Sequence, residues 1–146
     1  MGPLPRRDFE GKRLVLKMDT TIPGKRDAIQ PLVDSIMNVV HSTRCAEGRE
    51  EQVQIALIEA LANAVIHGCK ENPDKKVEVC VACDESGGML IIIRDPGNGF
   101  DPGKIPSPIE GQNLFETHGR GIFLINQLVD NVKYEKGGTE IHLRIK

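Results

Sequence analysis

The run Met89-Leu-Ile-Ile-Ile93 constrains this chain more than any other segment. Its five apolar residues are followed by Arg94 and the turn residues Asp95-Pro-Gly, so it is too short for a buried helix and reads as a strand hidden on both faces. A central strand over Met89 to Arg94 follows. The run before it, Lys76 to Asp84, alternates as a strand does, and Glu85-Ser-Gly-Gly88 is a good hairpin connection between the two.

The rest of the chain supplies partners for that hairpin. Arg13-Leu-Val-Leu-Lys-Met18 alternates as a first strand and Pro23-Gly24 closes it. From about Lys25 to Thr43, Ile29, Leu32, Val33, Ile36, Met37, Val39 and Val40 recur at three- and four-residue steps, which predicts a helix with one buried face. Pro31 places the start of its regular part, or a bend, nearby. A second helix is expected from about Gly48 to Ile66, ended by Gly68. A long loop rich in Gly and Pro, Asp95 to His118, comes before a short helix from about Gly121 to Val129. Strands Asn131 to Glu135 and Glu140 to Ile145 then close the chain around Lys136-Gly-Gly138. Strands that first alternate with helices and then pair as hairpins predict an α/β sandwich (α+β), a mixed, largely antiparallel sheet with helices packed on one face. At 146 residues it is expected to be one domain, 1–146.

Composition bears on function mainly by exclusion. The net charge is −2 and the 19 Lys and Arg are scattered, so no direct nucleic-acid binding is expected. No segment has the length of a membrane span or signal peptide, and a cytoplasmic protein is expected. Four cysteines stand at Cys45, Cys69, Cys80 and Cys83. Within the strand-like run, the odd separation of Cys80 and Cys83 sends their side chains to opposite faces, which argues against a shared metal. Buried free thiols are expected.

Three motifs carry chemistry. In the otherwise apolar Ile55 to His67, the polar residues are Glu59, Asn63 and His67, spaced by four so that they line up on one helix face. That stripe either faces water or meets a cleft, and Glu, Asn and His bracketed by Ala favour the cleft over an ordinary solvated face. Asp95-Pro-Gly97-Asn-Gly99 directly follows the central strand, so its carboxylate emerges where the strand ends. Such a carboxylate can accept hydrogen bonds from an exocyclic amine while the glycines admit a flat ring, although the motif alone is also an ordinary Asx turn. His118-Gly119-Arg120-Gly121 leads into a helix, where free backbone N–H groups suit a phosphate and Arg120 faces either that phosphate or water.

In this order and spacing the three motifs resemble the GHKL ATPase superfamily, whose fold is the Bergerat ATP-binding fold. Glu59-Ala-Leu-Ala-Asn63-Ala-Val-Ile-His67 looks like its N box, Asp95-Pro-Gly-Asn-Gly99 and Gly119-Arg-Gly121 its two glycine boxes, and Gly138-Thr139-Glu140 its threonine element. The absence of further domains and the phrase Gly119 to Asp130 are similar to the bacterial anti-sigma-factor serine/threonine kinases. The resemblance implies ATP and Mg²⁺ as cofactors. Glu59 would be the general base and Asn63 the Mg²⁺ ligand. Asp95, supported by Thr139, would accept the adenine amine, and Gly97, Gly99, Gly119 and Gly121 would frame ring and phosphates. Phe100, His118, Arg120 and Ile122 would complete the nucleotide site, with Asp101 to His118 as its lid. His67 matches a residue common in the family and is counted with the nucleotide-binding set.

The implied activity is that of an anti-sigma factor that phosphorylates its antagonist protein on Ser or Thr. Its partners would be a sigma factor and that antagonist, with a homodimer also in keeping with the family, and the start of the first helix, Lys25, Arg26 and Asp27, a candidate docking face. Two alternatives share the pocket: a non-catalytic nucleotide-binding regulator that sequesters a partner, and the ATP-binding part of a two-component histidine kinase.

Overall fold

In a computed structural model of the chain, which describes residues 13–97, 125–136 and 139–146, five strands form one sheet in the order β1-β2-β3-β5-β4. They are β1 (Leu14–Pro23), β2 (Lys76–Asp84), β3 (Met89–Arg94), β4 (Asn131–Glu135) and β5 (Glu140–Ile145). Every pairing among them is antiparallel. β3 is central, between β2 and β5, as its unbroken apolar run requires. β1 runs five residues beyond the expected Met18 and pairs with β2 as far as Pro23 against Lys76.

Two helices, α1 (Ile29–Thr43) and α2 (Glu50–Asn63), cover one face of the sheet. A 3₁₀ turn, Arg26–Ala28, precedes α1. Pro31 falls in the first turn of α1, where no intrahelical N–H bond is made, so the regular helix begins close to it as expected. Ile29, Leu32, Val33, Ile36, Met37 and Val40 form its buried face, and Val39 stays partly exposed. α2 buries Val53, Ala56, Leu57, Ala60 and Leu61 and continues as a π-helical turn, Ala64–Gly68. Opposite them the inner face of the sheet presents Val77, Val79, Val81, Met89, Ile91, Ile93, Leu143 and Ile145, joined by Ile125 and Val129. Residues 125–128 are helical, the described part of the short helix expected before β4.

The cysteines correct one expectation. Cys69 and Cys80 are free and buried, but Cys45 and Cys83 form a disulfide across a sequence separation of 38. Cys83 points to the core face and Cys80 away from it, as their odd spacing demands. The bridge forms because the link from α1 to α2 is folded onto the β2–β3 hairpin. Cys45 is flanked by Arg44 and Ala46 in left-handed conformations, and Ala46 donates its N–H to Gly87 O at 2.8 Å. The two Cα atoms lie 6.1 Å apart, within bridging range.

Candidate functional site

The central strand delivers Asp95. β3 ends at Arg94, and the Asp95 N–H donates to Thr139 O at 2.9 Å, so the residue just before β5 fixes the backbone of the aspartate. Thr139 is in turn held by its own hydroxyl, which donates to Lys136 O at 2.9 Å. Gly97 N–H donates to Asp95 Oδ1 at 2.8 Å, an Asx turn. Burial pushes the Asp95 carboxyl above its ordinary value, and the Gly97 bond only partly offsets this. Among the described residues Oδ2 accepts no hydrogen bond.

The polar stripe lies on the helix whose end, at Gly68, meets this carboxylate. Glu59 and Asn63 are half-buried one turn apart on α2, while His67 is exposed in the π turn. The π turn explains His67: its wider winding, shown by Cys69 N–H donating to Ala64 O at 2.8 Å, departs from the 3.6-residue period on which the stripe was aligned. Neither Glu59 nor Asn63 makes a side-chain hydrogen bond among the described residues. Polar side chains half-sunk in an apolar helix with no side-chain hydrogen bond among the described residues suit a ligand-facing cleft.

The end of the π turn meets Asp95 directly. Gly68 is buried, and a Cβ built on it would overlap Asp95 Cγ and lie 2.5 Å from Oδ1. A Cβ on Gly97 would lie 2.8 Å from both Cα and O of Gly68. Periodicity marks Gly68 only as a helix terminator, and its role at the site escapes a reading of the sequence by pattern. Beyond it, Cys69 is fully buried, and burial followed by the nearby Asp95 charge raises its thiol above the ordinary range. The chain then turns through Lys70 and Glu71, both at positive φ, and Glu71 is gripped by Arg26 at 2.6 and 3.2 Å. The proposed docking residue Arg26 is thus engaged within the chain, holding the entry to α1 against the segment that follows the stripe.

The structure therefore brings Asp95, Gly97 and Thr139 together, sets Gly68 of the stripe-bearing helix against them, and puts Glu59 and Asn63 on the same helix as Gly68. Gly99, Phe100, His118, Gly119, Arg120, Gly121 and Ile122 lie outside the described residues, as does the Asp101 to His118 loop.

A half-buried aspartate at the end of the central strand, facing the end of a helix that carries Glu and Asn one turn apart, on a helix-backed antiparallel sheet, defines a class of nucleotide-binding domain. The chain belongs to the histidine kinase-like ATPase domain family, whose pattern it matches over residues 22–145. It is 34% identical over 97 residues to the anti-sigma F factor of Heyndrickxia coagulans and 30% over 99 residues to that of Priestia megaterium, matches covering 62% and 64% of the chain. It is also 33% identical over 89 residues, 57% of the chain, to the serine-protein kinase RsbW of Oceanobacillus iheyensis. The chain spans 65%, 67% and 56% of these three relatives' own lengths. Among solved structures, the SiaB–SiaC complex from Pseudomonas aeruginosa contains a similar fold, with a TM-score of 0.57 at 15% identity, covering 92% of this chain and 89% of that one.

Proposed function

We propose that this protein is an ATP-binding anti-sigma factor with serine/threonine kinase activity toward an anti-sigma-factor antagonist. The observation that carries the reading is Asp95, whose backbone N–H donates to Thr139 O and whose Oδ1 accepts from Gly97 N–H, while Oδ2 accepts no hydrogen bond among the described residues and suits an exocyclic amine. The relatives named anti-sigma F factor and serine-protein kinase RsbW support the regulatory role and the serine as acceptor.

In this reading adenine docks on Asp95, with Thr139 supporting the aspartate, and Gly97 and Gly99 approach the ring. Gly119, Arg120 and Gly121 would serve the triphosphate, with Phe100, His118 and Ile122 assigned to the same nucleotide site. Asn63 offers its amide oxygen to Mg²⁺. Mg²⁺ is ordinarily held by few protein groups together with phosphates and water, so one side chain would suffice. That ion would neutralise charge on the phosphates. Glu59, one turn before Asn63, takes the proton of the acceptor hydroxyl as its oxygen bonds the γ-phosphorus and ADP departs. His67, exposed beyond the stripe, borders the nucleotide site without a chemical step assigned to it. Among the described residues no helix is long and apolar enough to cross a membrane. The reading makes the protein a cytoplasmic regulator whose partners are a sigma factor, the antagonist and a second copy of the chain.

Titration with ATP and Mg²⁺ by calorimetry tests the pocket. Wild type is expected to saturate, and Asp95→Asn to weaken binding at least tenfold, about 1.4 kcal/mol. Transfer of labelled γ-phosphate to a cognate antagonist tests the chemistry. Glu59→Ala should bind nucleotide as wild type does and lose transfer by a factor on the order of a hundred or more; transfer at the wild-type rate would remove Glu59 from the mechanism. A wild-type protein that binds ATP and sequesters its partner without transfer would make it a non-catalytic regulator.

A further inference from the structure

Gly68 stands in a backbone conformation open to any residue. It closes the π turn Ala64–Gly68, and its φ lies outside the left-handed region that marks Gly48 and Gly87. Helix propensity alone would favour alanine there. The reason for glycine is therefore space, and the three atoms that a Cβ would meet first all belong to one side chain: Asp95 Cγ, Oδ1 and Cβ, the last two at 2.5 and 2.6 Å. Gly97 completes the arrangement from the other side, where its missing Cβ lets the turn that bonds Oδ1 lie on the Gly68 backbone.

We infer that Gly68 is a positioning residue for base recognition. By leaving its Cβ position empty it lets the Asp95 carboxylate sit against the end of the stripe-bearing helix, and this seat fixes where the free oxygen points. The inference rests on the proposed nucleotide-binding reading. A carboxylate acceptor at that point favours a base with an exocyclic amine, such as adenine, over one that presents a carbonyl there, such as guanine. Displacing the carboxylate changes the choice of base as well as the affinity. A single added methyl suffices, because the overlap extends to Asp95 Cβ at 2.6 Å, which no change of side-chain rotamer moves away.

The test is a calorimetric comparison of ATP and GTP on wild type, Gly68→Ala, Asp95→Asn and the double variant. Gly68→Ala is expected to lose at least tenfold in ATP affinity and most of the preference for ATP over GTP. In the Asp95→Asn background the same change should cost less than threefold, because the group through which Gly68 acts has already been altered. A purely structural glycine would lower the affinity for both nucleotides alike and leave their ratio where it was, which overturns the inference. So would full additivity of the two substitutions. Should Gly68→Ala not fold, the Gly68→Ala/Asp95→Gly pair must melt at the temperature of Asp95→Gly alone, and a pair that still fails to fold overturns the inference too. Wild type that binds neither nucleotide defeats the proposed function instead, whereas normal wild-type binding weakened by Asp95→Asn but untouched by Gly68→Ala defeats only the role of Gly68.

Discussion

Two aspartates flank the same hairpin at opposite ends of the sheet, and each packs against a glycine. Asp84 ends β2 and is 1% exposed. Burial pushes its carboxyl up, but the Ser86 hydroxyl at 2.7 Å, the Gly88 and Ser86 N–H groups, each at 2.9 Å, and the Arg144 charge outweigh burial and hold it below the ordinary range. Asp95 follows β3, is only half-buried, receives one hydrogen bond, and is raised. A Cβ at Gly88 would crowd Asp84 at 2.8 Å, much as one at Gly68 would crowd Asp95. What separates the two among the described residues is the number of donors: three hydrogen bonds meet Asp84 Oδ1 and Arg144 stands 3.8 Å from its Oδ2, whereas Asp95 receives one hydrogen bond and no cation. The covalent link falls on the same side of this divide. Cys45–Cys83 sits at the Asp84 end, while Cys69, beside Asp95, stays free.

The contrast can be broken from its structural end first. Asp84→Ala strips three hydrogen bonds and the Arg144 partner from a buried site, and should cost about 3–5 kcal/mol in urea unfolding while leaving ATP affinity within about threefold of wild type. A loss of nucleotide binding in the folded variant would mean that the two ends do not divide their labour as described. The bridge comes next in size. Alkylation of the unfolded, unreduced protein should count two thiols, Cys69 and Cys80. Reduction should then lower stability by about 2–4 kcal/mol, with Cys45→Ser insensitive to reductant.

The smallest effect lies in pH. The folded Asp95 has its pKa raised by burial, so the folded state binds its proton more tightly than the unfolded one, and the stability linked to this group falls as pH rises from the ordinary carboxylate range through the raised value. Asp84 has the opposite sign: its contribution is complete above the ordinary range and is lost as pH falls through the lowered value. Asp95→Asn should therefore melt higher than wild type at neutral pH, with the gain vanishing below about pH 4. Melting curves of both variants across pH check the two signs.

Legibility in the sequence divided along the same physical lines. β2 to β5 could be read residue for residue because alternation, or an unbroken apolar run, is a local signal. β1 was underestimated because Asp19, Thr20 and Thr21 sit on an edge strand, where polar residues face water without breaking the pairing. Glu59, Asn63 and Asp95 stand out by type and spacing as candidates, and the fold places the first two half-buried on α2 and the third at the end of β3. Gly68 and the Cys45–Cys83 bridge could not, since each depends on which distant residue the fold brings alongside, Asp95 in one case and a partner 38 positions away in the other. The π turn was hidden for another reason: a five-residue widening leaves the apolar pattern of α2 almost unchanged.

The strand order has a consequence for how the chain assembles in time. β2 with β3, and β4 with β5, are neighbours in sequence and can zip across short connections on the microsecond scale of hairpins. β1 reaches β2 only after residues 24–75 have been gathered in, and β3 reaches β5 only across the segment between 94 and 140. The entropy of closing those two large loops must be met before their contacts return anything, so they set the speed limit of the whole domain. The second closure also draws Thr139 up to Asp95, which makes that contact one of the last parts of the molecule to come into being.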